Sequence, residues 1–164
     1  MTIVKKIGNF RVASHLAWLY DIYCKTGIRV PFPIISDRNG QIARKYGMIS
    51  NDVSNTETVR NVFIIDDKGI VRLILVYPMN VGRSIQEILR ALTALQVADA
   101  NKLSMPANWI PCEPGILPVP KTFAELEARK REMETKQNGM SWYLGFQNVK
   151  DCKVPEINDS ECKK

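Results

Sequence analysis

No apolar run in this chain approaches the ~20 residues that a bilayer-spanning helix needs. The first apolar stretch is broken by Lys5, Lys6, Asn9 and Arg11, so it does not read as a secretory leader. The four cysteines, Cys24, Cys112, Cys152 and Cys162, include no CxxC pair, which removes the usual signature of a metal or dithiol site. With no leader, a reducing cytoplasm and free thiols are expected. Histidine occurs once, at His15. A catalytic base needs a third group to orient it, and none is identifiable, so His15 reads as a polar residue at a helix start. The basic residues lack interleaved aromatics. The net charge of +6 therefore reads as a solvated surface, and no nucleic-acid partner is expected. There is no internal repeat.

What is present fits a globular protein. The 164 residues suffice for one domain with a core plus an extension, and the 45% hydrophobic and 24% charged content is ordinary. The organising stretch is residues 58–95. An apolar run at 62–65 is followed by Asp66, Asp67, Lys68 and Gly69, a turn in which glycine tolerates positive φ. Residues 70–77 form the return strand, apolar on both faces except at Arg72, and Pro78 ends it. This pattern predicts a hairpin inside a sheet covered on both sides. Ser84 with Glu87 forms a capping box for a helix whose apolar stripe is Ile85, Ile88, Leu89, Leu92 and Leu95.

Before this unit, Ile3, Val4 and Ile7 could be the remnant of a strand. A helix is predicted over 14–25, capped by Ser14 and ended by Gly27. Pro31 and Pro33 lead into a short edge strand at 32–35. Asp37 is expected to cap a helix over 39–46 that Gly47 ends, and residues 48–57 read as a loop. After the unit, five prolines between 106 and 120 exclude regular structure over 98–120 and favour an extended arm, pinned by Trp109. Thr122 and Glu125 box a charged, exposed helix over 123–135. Trp142, Tyr143, Leu144 and Phe146 form an aromatic anchor. Residues 150–164 read as a disordered tail. Its Cys152 and Cys162 lie among Lys150, Lys153, Lys163 and Lys164, the one cationic setting that could favour a thiolate. As bland thiols they need no such role.

Several motifs then carry a resemblance: SHLAWL (14–19), PFPIISD (31–37), ARKYGM (43–48), TVRNVFIIDDKG (58–69), YPMNVGRSIQEILRAL (77–92) and PANW (106–109). In this order and spacing, over about 14–146, the chain resembles the later two thirds of a one-cysteine-type peroxiredoxin of the bacterial and archaeal kind. The resemblance implies an α/β, thioredoxin-like fold, incomplete and representing the C-terminal part of the sheet. It places a partial domain at 1–97, a dimerisation arm at 98–149 and the tail at 150–164. It also implies an antioxidant thiol peroxidase acting on hydrogen peroxide and organic hydroperoxides with a thiol reductant. No cofactor, metal or membrane is implied. The partner is a second copy of the chain or a full-length relative.

Carried over by motif, the arginine of the family's T-x-R falls on Arg60 and that of its G-R on Arg83. A fixed guanidinium favours a thiolate over a thiol and can hold peroxide oxygens. Taken alone, the two read better as solvent-facing arginines at element ends, and it is the resemblance that reverses this preference. The family's peroxidatic cysteine lies in P-x-x-x-T/S-x-x-C, a pattern these residues do not contain. No catalytic residue is therefore assigned. The chain is expected to lack that segment and to be inactive alone, with its apolar strands partly uncovered. Gly139 and Gly145 stand where some relatives have resolving cysteines.

Overall fold

A computed structural model describes residues 6–8, 11–49, 60–136 and 139–150. The chain divides into two compact units at the junction of Arg83 and Ser84. In the first, β1 (Lys6–Gly8) pairs in parallel with β2 (Ile34–Ser36), joined through α1 (Val12–Thr26). α2 (Gln41–Lys45) follows, then an antiparallel hairpin of β3 (Arg60–Ile65) and β4 (Val71–Tyr77). Buried Ala43, Met48, Val62 and Ile64 form the core of this unit, and Tyr46 meets Phe63 edge to face at 5.2 Å. Of the disordered tail predicted at 150–164 only Lys150 is described, its N–H donating to Asn101 Oδ1 at 2.9 Å, and the rest of the tail, most of the loop at 48–57, and Ile3 and Val4 lie outside the described residues.

The helix ends show where local chemistry ruled and where it did not. α1 begins after Arg11, not Ser14, because nothing at Val12 or Ala13 opposes helix and the Arg11 carbonyl accepts from the Ser14 N–H at 3.0 Å. Its other end is as expected, with Gly27 at φ 72° donating its N–H to the Tyr23 carbonyl. α2 starts after Gly40 rather than Asp37. The Asp37 carboxylate still serves it, accepting from the Ala43 N–H at 2.7 Å in a buried position.

The hairpin turn is held by Asp66. Its Oδ1 accepts from the N–H groups of Ile70 at 2.9 Å and Lys68 at 3.0 Å, and its Oδ2 lies 3.6 Å from Arg72. The Ile70 N–H is the main reason its carboxyl sits below its ordinary range. Partial burial opposes the shift, and Lys68 and Arg72 add to it. The expectation of a doubly covered hairpin fails. Among the described residues β3 and β4 form a two-stranded sheet, and Val71, Ile74 and Val76 are exposed. Apolar alternation records what a strand can bury, not what lies against it.

The second unit opens with α3 (Ile85–Asn101), whose Ser84 hydroxyl accepts from the Glu87 N–H at 3.2 Å. Only half of the expected box forms, since the Glu87 carboxylate is gripped by Arg90 at 2.6 and 2.8 Å. The buried face is Ala91, Thr93 and Val97, while Ile85 and Leu89 are exposed. The predicted stripe is therefore rotated. Regular structure also persists into the region assigned to an extended arm. α3 continues to Asn101, and β5 (Gly115–Ile116) pairs with β7 (Leu144–Gln147), which pairs with β6 (Gly139–Ser141). The prolines flank β5 without occupying it, so its N–H groups stay free to pair.

Trp109 pins the arm as expected. It is fully buried, its indole N–H donates to the Glu113 carbonyl at 2.9 Å, and its own carbonyl accepts from Arg90 at 3.2 Å. α4 (Phe123–Lys136) is capped by Thr122, and Glu125 reaches back to the Lys121 N–H at 2.7 Å. The expectation of four free thiols fails at Cys112, which is disulfide-bonded. Sequence spacing carries no sign of that pairing.

Candidate functional site

Arg60 opens β3 and stands opposite Tyr77, the last residue of β4. Both strand ends therefore lie at the same end of the hairpin. From Tyr77 the chain turns tightly, the Val81 N–H donating to the Pro78 carbonyl at 3.1 Å, and reaches Arg83 six residues on. The half-buried Arg60 crosses this turn, its Nη1 donating to the Val81 carbonyl at 3.2 Å. One arginine is thus tied to the loop that carries the other. Arg83 is exposed and precedes the cap of α3. Among the described residues neither guanidinium has a carboxylate partner, so two positive charges are available to an anion.

The other candidates lie on other stretches of the chain. His15 lies in the first turn of α1 and Cys24 near its end, exposed and free. Cys152 and Cys162 lie outside the described residues. Cys112, engaged in a disulfide, presents no thiolate. Sequence reasoning missed the Val81 carbonyl. A backbone acceptor has no residue-type signature, and the Pro78 turn was its one visible trace.

Fold and site together define a thioredoxin-like α/β protein with two arginines at a hairpin end. A profile described as the AhpC/TSA family matches residues 8–74, and one described as the C-terminal domain of 1-Cys peroxiredoxin matches residues 94–133. Among curated proteins, Peroxiredoxin 2 of Caldanaerobacter subterraneus subsp. tengcongensis is 52% identical over 83% of this chain and 61% of its own length. A peroxiredoxin of Aquifex aeolicus is 45% identical over 73% of this chain and 58% of its own length. The solved structure of a yeast mitochondrial 1-Cys peroxiredoxin superposes with TM-score 0.71 at 32% identity, covering 88% of this chain and 69% of that one. The chain belongs to the peroxiredoxin family, and the expected thioredoxin-like fold holds. It spans about three fifths of the length of the two curated relatives.

Proposed function

We propose that this chain supplies the arginine side of a thiol-peroxidase site, with Arg60 and Arg83 as binders of peroxide and thiolate. The observation that supports it most is the bond from Arg60 to the Val81 carbonyl, which ties a strand-end guanidinium to the loop bearing Arg83. In the reaction a cysteine thiolate attacks one peroxide oxygen. An S–O bond forms, the O–O bond breaks, sulfur is oxidised to a sulfenic acid, and the leaving alkoxide or hydroxide takes a proton. The guanidiniums keep the sulfur ionised beforehand and stabilise the negative charge as the O–O bond opens. Substrates are hydrogen peroxide and organic hydroperoxides, a thiol is the reductant, and the setting is cytoplasmic. A partial thioredoxin-like domain at 1–97 and an arm at 98–149 belong to the same reading.

None of the four cysteines is assigned the attacking role, so this reading requires a thiolate from another polypeptide or from Cys152 or Cys162 acting as a substitute. A second reading makes the chain an inactive subunit that joins an oligomer of its own kind or a full-length relative. It is favoured by α1, which buries none of its residues although Leu16, Tyr20 and Tyr23 share a face. Peroxide consumption with dithiothreitol separates the two. Turnover that Arg60→Ala abolishes supports the enzyme. No turnover, together with co-purification of a full-length relative, supports the subunit. Labelling of Cys152 or Cys162 by a sulfenic-acid trap would identify a substitute nucleophile, and labelling of neither removes that variant.

A further inference from the structure

A cavity of about 210 Å³ lies between α4 and β7, inside the second unit. Leu117, Met133 and Phe146 give it an apolar wall, and Arg129 borders it from α4. The Arg129 Nη2 donates to the Pro118 carbonyl at 3.1 Å. Its Nη1 is buried and has no acceptor among the described residues. A buried guanidinium N–H without a partner carries its full desolvation cost, so the fold leaves one strong donor unspent beside an apolar hollow.

The seat of this guanidinium is made by an absence. A Cβ at Gly145 would lie 3.2 Å from Arg129 Nη1 and 3.2 Å from Leu117 Cδ1. A Cβ there would press on both groups and oblige them to shift by a few tenths of an ångström, so glycine leaves the guanidinium its present seat. Glu132 also lines the hollow and is engaged in an interaction of its own. Its negative charge disfavours a ligand with two anionic groups. The exposed Gln147 adds a neutral polar group at the edge.

We propose that this cavity binds a small monocarboxylate, its charged end on the Arg129 guanidinium and its short hydrocarbon body against Leu117, Met133 and Phe146. The carboxylate is the acceptor whose two oxygens match adjacent guanidinium N–H groups. Presenting Nη1 to it requires the guanidinium to tilt from its seat over Gly145, so binding has a spectroscopic signature at this one side chain. The inference is independent of the peroxide reading.

Titration of the full chain with sodium butyrate tests it, followed by the arginine Nε–Hε resonances in nitrogen–proton NMR. Saturable movement of a single such resonance is expected, in the millimolar range typical of so small a ligand, and the backbone amide resonances of Gly145 and Phe146, which remain readable when the arginine is gone, should report binding about tenfold weaker in Arg129→Gln. Butanol, with the same body and no charge, should not saturate, and succinate should bind more weakly than butyrate. Met133→Trp fills the apolar half while keeping the arginine, and should weaken binding about as much. It decides the matter if Arg129→Gln does not fold. Absence of saturation, affinity unchanged in Met133→Trp, or equal binding of butanol would each overturn the site.

Discussion

The Arg60 guanidinium and the Val81 carbonyl meet at 3.2 Å across 21 positions of sequence. The bond closes the loop between β4 and α3 back onto the start of β3, which fixes the path of the chain into Arg83. Arg60→Ala should therefore loosen residues 78–83 without disturbing the distant Asp66 turn. Hydrogen exchange reads this directly, with faster exchange expected at the Val81 amide and unchanged exchange at Ile70, both of which are hydrogen-bonded. Equal protection of Val81 in the variant would mean that the Pro78 turn holds the loop unaided.

Trp109 is the heaviest single anchor of the second unit, with 0% of its surface exposed. Trp109→Ala removes that packing and the bond to the Glu113 carbonyl, and should cost about 3–5 kcal/mol. Denaturant unfolding followed by circular dichroism measures it. A loss below about 1 kcal/mol would show that the arm around Trp109 collapses to fill the space.

Two glycines should answer a methyl group for different reasons. At Gly69 φ is 79° and nothing lies within 4 Å of the added carbon, so Gly69→Ala meets backbone strain alone, about 1 kcal/mol. At Gly115 the carbon would come within 2.9 Å of Leu103 Cβ and 3.0 Å of Met105 Cε. Gly115→Ala should cost about 1–3 kcal/mol through overpacking at β5. The two differ in remedy: Leu103→Ala keeps Cβ but removes Cδ1, which would lie 3.0 Å from the added carbon, so in a double-mutant cycle it should offset part of the Gly115 loss and none of the Gly69 loss.

These contrasts also explain how far the sequence was legible. The hairpin, its Gly69 turn, the Ser84 and Thr122 caps and the Gly27 terminus came from rules that act within four residues, and the structure keeps them. What failed depends on distant chain. The face that α3 buries, the exposure of β4 and the disulfide at Cys112 are set by what packs alongside, which periodicity cannot name. β5 escaped because prolines at 111, 114 and 118 conceal the two residues between them that pair. Arg60 and Arg83 are proposed from motif, whereas the Val81 carbonyl that ties Arg60 to the loop before Arg83 has no side-chain signature.

The Asp66 carboxylate should make stability fall at acid pH. Its folded pKa lies below the ordinary 3.8, chiefly because the Ile70 N–H holds the ionised form. A proton then binds the unfolded chain more readily than the folded one. The contribution is complete above about 4 and is lost as pH falls through the lower, folded value. Asp66→Asn keeps an oxygen for the Lys68 and Ile70 N–H groups but removes the charge facing Arg72. Its unfolding midpoint should depend less on pH than that of the native chain over this range. Parallel curves would assign the acid sensitivity to other carboxylates.

The exposed face of β4 should govern self-association. Ile74 and Val76 are 51% and 64% exposed, two positions apart on the same face, and β4 is hydrogen-bonded to β3 alone among the described residues. An apolar face on an unpaired strand edge is a template for another chain. Lysine at both positions leaves the β3–β4 backbone bonds untouched, because neither side chain takes part in them. Each change should cost no more than about 0.5 kcal/mol, as at other exposed sites. Two added charges per chain would then repel across any edge-to-edge pairing and should be most effective at low salt. Sedimentation velocity over a concentration series provides the measurement. The double variant I74K/V76K should stay smaller than the native chain at every concentration, and the difference should narrow as salt is raised. Identical profiles would mean that association runs through another surface, for which the uncovered Leu16, Tyr20 and Tyr23 face of α1 is the next to alter.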